Sequence, residues 1–352
     1  MKYSITKSIL QSLMLSVAFI FFACGDSEGP TVPGNGGNTL TGAYILYYSP
    51  ASSTDYAYYD AAKDSVTDFL ITTTSPGVKL NVNPGEMKLN SDRMLYLTAL
   101  GIPGHNGTIY KVDPSNNIIQ DSLQFGFGPD GFAINNDRIV VGNSGSTNVT
   151  VLDLDFNIVK DTVEVGGNPA NVLYAFNRYV VTRNAMNNEP SAAFVDEINY
   201  AVTKQFFPAV PVSAIYNVNG IFISTNNNKI IYRVDQESYT TTDSFSVPTV
   251  YPSLTRLVFK TQNSFYVVAG GKEVWLATVN SGTFSFTNIF QAVSDINIMA
   301  IAYETSANEV YFTSQSNPPG AILFVIDGNS GTIKRFKSLN GNNTQSIVFR
   351  YF

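Results

Sequence analysis

The sequence predicts an all-β fold, a seven-bladed β-propeller closed by pairing of its C-terminal strand with its N-terminal strand. Three observations carry that prediction. An apolar strand motif recurs seven times, and a second motif recurs seven times in the same phase. No stretch shows a capped amphipathic helix, while Gly/Asn/Pro-rich turns return every 8–12 residues.

The first motif runs through Ala43–Leu46, Met94–Leu97, Ile139–Val141, Tyr179–Val181, Ile221–Ile223, Phe265–Val268 and Val310–Phe312. It is apolar on successive residues, which suits a strand buried on both faces. The second is an apolar strand closed by Asp60, Asp113, Asp153, Asp196, Asp235 and Asp327, with Thr278 in the sixth copy. Both series step by a mean of about 44.5 residues, the length of a four-stranded blade. A third element, Asp64-Ser65-Val66, Asp121-Ser122-Leu123, Asp161-Thr162-Val163 and Asp243-Ser244-Phe245, follows the anchoring Asp and reads as a turn leading into an alternating outer strand. The fourth strand precedes each copy of the first motif, as in Gly131–Ile134 and Asn171–Tyr174. The repeated Asp residues read as structural caps, because catalysis needs one unique constellation.

Closure follows from the phase. Ala43–Ser49 aligns with the second strand of a blade, so the innermost strand of that blade is missing at the N-terminus. Ser346–Tyr351 follows the seventh repeat and supplies it, predicting that residues 346–351 lie beside residues 43–49.

The chain organises as a lipoprotein signal peptide over residues 1–23, a flexible tether over 24–39 and the propeller over 40–352. Lys2 and Lys7 precede an apolar run of about 15 residues, too short to span a bilayer, and then Ala23-Cys24-Gly25. Cys24, the sole cysteine, is the expected lipidation site. The Ala-Cys pair resembles a lipobox. Gly25–Asn38 is rich in Gly, Pro and Asn, and Asp26 and Glu28 resemble the acidic signal of outer-face lipoproteins. The expected location is therefore the outer membrane, lipid-anchored and facing outward, with the periplasmic face as alternative.

Composition excludes several classes. The net charge is −6, unsuited to phosphate backbones, so no nucleic-acid partner is expected. One Cys and one His exclude a disulfide framework and a zinc site built on His and Cys, and leave Ser-His-Asp catalysis only His105. No cofactor and no metal is called for. Gly126–Gly131 is Gly-rich but precedes a strand rather than a helix, so it is not read as a phosphate cradle.

Residues 138–169 carry a resemblance. Val140-Val141-Gly142-Asn143, Val149–Asp153 and Gly166–Pro169 resemble the YVTN/YncE-like propeller repeat at its Tyr-Val-Thr-Asn, its Val-x-Val-Ile-Asp and its Gly-x-x-Pro. The first repeat departs from it with a longer insert, and the last two are degenerate. Bacteroidetes surface lipoproteins of this class include ones that capture corrinoids beside an outer-membrane transporter, and the resemblance implies such a partner here.

The loops between second and third strands share one face with the loops between blades. They carry Asn143, Asn148, Asn184, Asn187, Asn226, Asn227, Gln315 and Asn317, whose amides suit a small polar ligand or glycan. Phe127, Phe207 and Tyr251 are candidates to stack on it, and His105 lies in the longest loop of that face. The reading is a monomeric, non-catalytic binding module for a corrinoid- or glycan-like ligand. The alternatives are a scaffold for a neighbouring membrane protein and a propeller-type lactonase or lyase. The enzyme would need a metal or a clustered acid/base set on that face, which the sequence does not display.

Overall fold

The computed structural model describes residues 39–49, 53–135, 137–184, 190–280, 283–293, 296–316 and 320–351. The signal peptide, Cys24 and most of the tether lie outside them. Among the described residues the chain forms seven four-stranded antiparallel sheets. Blade 1 holds β1 (Leu40–Ser49), β2 (Ser53–Asp60) and β3 (Ser65–Thr67). A five-residue helix, α1 (Leu70–Thr74), follows. Blade 2 is β4 (Pro84–Leu89), β5 (Leu95–Ala99), β6 (Asn106–Asp113) and β7 (Ile118–Phe127). Blade 3 is β8 (Pro129–Asn135), β9 (Arg138–Asn143), β10 (Asn148–Asp153) and β11 (Ile158–Glu164). Blade 4 is β12 (Asn168–Ala175), β13 (Arg178–Asn184), β14 (Ser191–Asp196) and β15 (Val202–Phe206). Blade 5 is β16 (Pro211–Asn217), β17 (Gly220–Thr225), β18 (Ile230–Val234) and β19 (Thr241–Ser246). Blade 6 is β20 (Leu254–Thr261), β21 (Ser264–Ala269), β22 (Glu273–Asn280) and β23 (Thr283–Gln291). Blade 7 is β24 (Asn297–Glu304), β25 (Glu309–Ser316), β26 (Gly320–Asp327) and β27 (Ile333–Leu339).

The last strand, β28 (Asn342–Tyr351), is the innermost strand of blade 1 and pairs antiparallel with β1. Its register sets Leu40 against Tyr351, Ala43 against Phe349, Ile45 against Ile347 and Leu46 against Ser346. The predicted closure is present, and the ring leaves no unpaired radial edge.

The apolar runs are explained by what lies on either side of each sheet. Ile139 and Val141 of β9 face blade 2, while Val140 between them faces blade 4. In β17, Ile221 and Ile223 pack toward blade 4 and Phe222 toward blade 6. A sheet covered on both faces has no use for alternation, and each buried Val or Ile contributes about 1.5–3 kcal/mol of apolar transfer.

The six anchoring Asp residues cap the turns after their strands. Asp113 accepts from Ser115 N, Asp153 from Asp155 N and Asn157 N, and Asp327 from Asn329 N and Ser330 N, at 2.8–3.0 Å. Asp60, Asp196 and Asp235 do the same. Hydrogen bonds from the turn hold all six carboxyls below their ordinary range, led by the Ser330 N–H at Asp327 and the Asn157 side chain at Asp153. A depressed folded pKa adds stability that is fully present above the unfolded value, about 3.9, and is lost as pH falls through the folded values. The melting temperature is therefore expected to hold from neutral pH down to about pH 5 as far as these groups go, then to drop steeply below pH 4 in a scanning-calorimetry series.

Two expectations are corrected. Asp121-Ser122, Asp161-Thr162 and Asp243-Ser244 lie within the outer strands β7, β11 and β19, not in turns. Register shifts beside them at Lys111/Val112, Val149/Val151 and Arg233/Val234 make these edges irregular, which blunts edge-to-edge pairing. The helix α1 was not foreseen. It is tertiary in origin: the buried Asp55 carboxylate accepts from Ile71 N at 3.0 Å, Thr72 N at 3.2 Å and Thr72 Oγ1 at 2.6 Å, fixing one turn that propensity alone would not hold.

Candidate functional site

Every innermost strand is irregular near the same mouth of the ring. Its register against the second strand slips between Pro84 and Met87, Pro129 and Phe132, Pro169 and Asn171, Pro211 and Ser213, Leu254 and Arg256, and Ile298 and Ile301, and β28 slips between its pairings with Leu46 and Tyr48. Four of the slips begin at a proline, which has no N–H to give a ladder. The slips insert extra residues at the ends of the strands that line the axis. In blades 4, 5 and 7 these are Ala170, Val212 and Met299-Ala300. In blades 2 and 3 they are Gly85-Glu86 and Asp130-Gly131, and Arg256 directly follows the slip in blade 6.

Glu86 and Asp130 sit on adjacent strands that approach closely. A Cβ on Gly85 would lie 3.0 Å from Asp130 O and 2.5 Å from Thr98 Oγ1, and one on Gly131 would lie 2.4 Å from Ala170 O. The buried Thr98 hydroxyl donates to Asp130 O at 2.6 Å and accepts from Glu86 N at 2.9 Å. Glu86 Oε2 accepts from Phe132 N at 2.8 Å, and Glu86 Oε1 is 3.5 Å from Lys88 Nζ. Burial, and next the charge of Glu86, push the Asp130 carboxyl up from its ordinary value to about 7, while Arg256, three blades away around the ring, pulls it the other way. Gly131→Ala is expected to force the inner strands of blades 3 and 4 apart and to cost about 1–3 kcal/mol in urea melts, since an added methyl here meets backbone.

The expected amide ring is placed as follows. Asn143 is buried, and its amide donates to Asn148 Oδ1 at 2.7 Å and Thr150 Oγ1 at 3.0 Å, tying the β9–β10 loop. Asn226 is half-buried and Asn227 exposed, the latter in the left-handed region at φ 68°. Asn184 ends β13 opposite Asn168, and Gln315 is exposed at the end of β25. Asn187 and Asn317 lie outside the described residues. Phe207 is 5% exposed, in the core between blades 4 and 5, with its ring centroid 5.2 Å from that of Tyr232. Tyr251 packs over Gly270, while Phe127 and His105 are exposed. Among the described residues, none of these candidates joins Glu86 or Asp130 in a hydrogen bond.

Among the described residues no three His, Cys, Asp or Glu side chains group as metal ligands, and no helix is long and apolar enough to cross a membrane. A cleft of about 450 Å³ lies away from the axis, at the seam of blades 1 and 7, where Glu309 pairs with Arg335.

The fold and this cluster define a seven-bladed propeller with a carboxyl pair and an arginine at one axial mouth. No protein-family model matches the chain, and no curated protein matches its sequence. Solved structures do match in fold. The periplasmic gluconolactonase of Pseudomonas aeruginosa is 15% identical with a TM-score of 0.67, over 88% of this chain and 99% of that one. A putative 6-phosphogluconolactonase from Bacteroides fragilis is 11% identical with a TM-score of 0.64, over 88% and 98%. A streptogramin B lyase is 15% identical with a TM-score of 0.58, over 78% and 90%.

The expectation of a non-catalytic binding module is corrected by these observations. Two carboxyls and an arginine from separate blades, which the sequence does not display as a cluster, stand at the axial mouth, and the fold neighbours include one lactonase and one putative lactonase. The enzymatic alternative is the better supported one. The sequence did hold a signal: charged residues occupy inner-strand ends in blades 2, 3 and 6, where blades 4, 5 and 7 have Ala, Val or Met and blade 1 has the uncharged Asn343–Gln345. That contrast emerges only once the inner strands are aligned by their slips.

Proposed function

We propose that this protein is a propeller-type hydrolase that opens a cyclic ester, a lactone, at the axial mouth. The observation that carries the reading is a buried carboxyl raised to about 7, close in the fold to Glu86 and within the electrostatic reach of Arg256. A base is most effective when its pKa lies near working pH, and strongly shifted groups gather at functional sites. The lactonase names among the fold neighbours supply the substrate class.

In this reading the Asp130 carboxylate takes a proton from a water that attacks the ester carbonyl carbon. Arg256 offsets the negative charge that builds on the carbonyl oxygen. The ring C–O bond then breaks, and Asp130 returns the proton to the departing alkoxide, giving a hydroxy acid. The test is a pH-stat screen of purified protein against a panel of γ- and δ-lactones. Ring opening above the buffer rate that is lost in Asp130→Asn supports the reading, and no opening across the panel rejects it.

The repeat resemblance in blade 3 supports descent from the YVTN/YncE-like group within the propellers. Lipid attachment at Cys24 and display on the outer membrane are proposed with it, on the strength of the Ala23-Cys24 pair. Cys24→Ser is expected to move the protein from the detergent phase to the aqueous phase of a Triton X-114 partition.

A further inference from the structure

The Glu86 carboxylate and the Asp130 backbone are held by one short-range lock. Gly85 lies against the Asp130 backbone where a Cβ would be 3.0 Å from its carbonyl oxygen. Thr98 ties the Glu86 N–H and the Asp130 carbonyl to one hydroxyl, and Glu86 Oε2 holds the Phe132 N–H at 2.8 Å, two residues past Asp130. The Glu86 side chain is thus fixed to the irregular segment that presents Asp130.

We propose that Glu86 and Asp130 act as one acid–base unit, in which Glu86 is a positioning residue and Asp130 the proton carrier. The inference deepens the lactone-opening reading and rests on it for the use of that proton. Its electrostatics are local. Burial raises the Asp130 carboxyl most; from β4 the charge of Glu86 adds to the rise while Lys88 partly neutralises Glu86, and from β20 Arg256 opposes it. The strands β5 and β12 bring no charged side chain against β8. Lys111 of β6 and Arg138 of β9 stand toward the far ends of their strands, where they meet Asp155 at 3.7 Å and Asp137 at 2.8 Å. Burial and a neighbouring negative charge both disfavour the ionised form of Asp130.

The test is a carbon-detected NMR titration of side-chain carboxyls in the purified propeller, with Asp130→Asn used to assign the resonance. Asp130 is expected to titrate near neutral pH. In Glu86→Gln the amide oxygen still accepts the Phe132 N–H, but the charge is gone, so the Asp130 midpoint is expected to fall by about one pH unit. Phe132 amide exchange should stay slow in Glu86→Gln and accelerate at least about tenfold in Glu86→Ala, which loses the acceptor. An Asp130 midpoint in the ordinary carboxylate range, or one unmoved by Glu86→Gln, overturns the unit. The two readings fail separately. A coupled titration in a protein that opens no lactone removes the reaction and keeps the pair; lactone opening with an unmoved midpoint does the reverse.

Discussion

Asp130→Asn is expected to cut lactone opening by about 10²–10⁴-fold, the usual contribution of a positioned general base, and at the same time to stabilise the fold above neutral pH. The pH dependence of the proposed activity follows from the same group. The base works as carboxylate, so kcat/KM should rise with pH through about 7 and level off above it. Stability runs the other way. A folded pKa raised above the unfolded value gives a contribution that is present below about pH 4 and lost as pH climbs through the folded pKa. The rise from the ordinary value to about 7 corresponds to at most about 4 kcal/mol. Because Asp130 keeps partial access to the open channel, about 1–2 kcal/mol is the reasonable size. Asp130→Asn should therefore unfold at higher urea than the native protein at pH 8 and at nearly the same urea at pH 4, with about a third of the difference present at pH 5. A variant inactive and less stable at pH 8 would mean that the carboxyl is structural.

The second large effect concerns closure. Deleting Ser346–Tyr351 is expected to abolish cooperative folding, and Ile347→Asp to cost about 3–5 kcal/mol. The strand β28 touches three blades. Ile347 is 8% exposed and joins the core between blades 1 and 7, Phe349 packs edge-on against Tyr311 at 5.0 Å, and Ser346 Oγ donates to Met87 O in blade 2 at 3.0 Å. Without these contacts β1 becomes an open edge and the ring loses its only covalently remote joint. The control is Ile333→Asp on the outer strand β27, where the side chain is 47% exposed and the cost should stay within about 0.5 kcal/mol. Chemical denaturation curves of the two variants decide it: equal costs would show that the seam carries no special share of stability.

How far residues speak for themselves differs between fold and site. The blade count and the closure were legible because they rest on local pattern repeated in phase. Val140 must be apolar on whichever blade it sits, and Asp153 must cap whatever turn follows it. The amide ring was also read locally, one loop at a time, and for Asn143 local chemistry was misleading. A loop amide looks available in sequence, yet this one is buried and spends its donors on Asn148 and Thr150. Phe207 was a stacking candidate by position and is a core residue by packing.

Seven sheets around an axis, caps at their turns and a tail that pairs with the first strand were thus set by the amino-acid pattern alone, since each depends on periodicity and short-range hydrogen bonding. The cluster at the axial mouth was decided by tertiary structure. Glu86, Asp130 and Arg256 are separated by 44 and 126 residues, and only ring closure turns their strand ends toward one channel, where shared burial makes their charges feel one another.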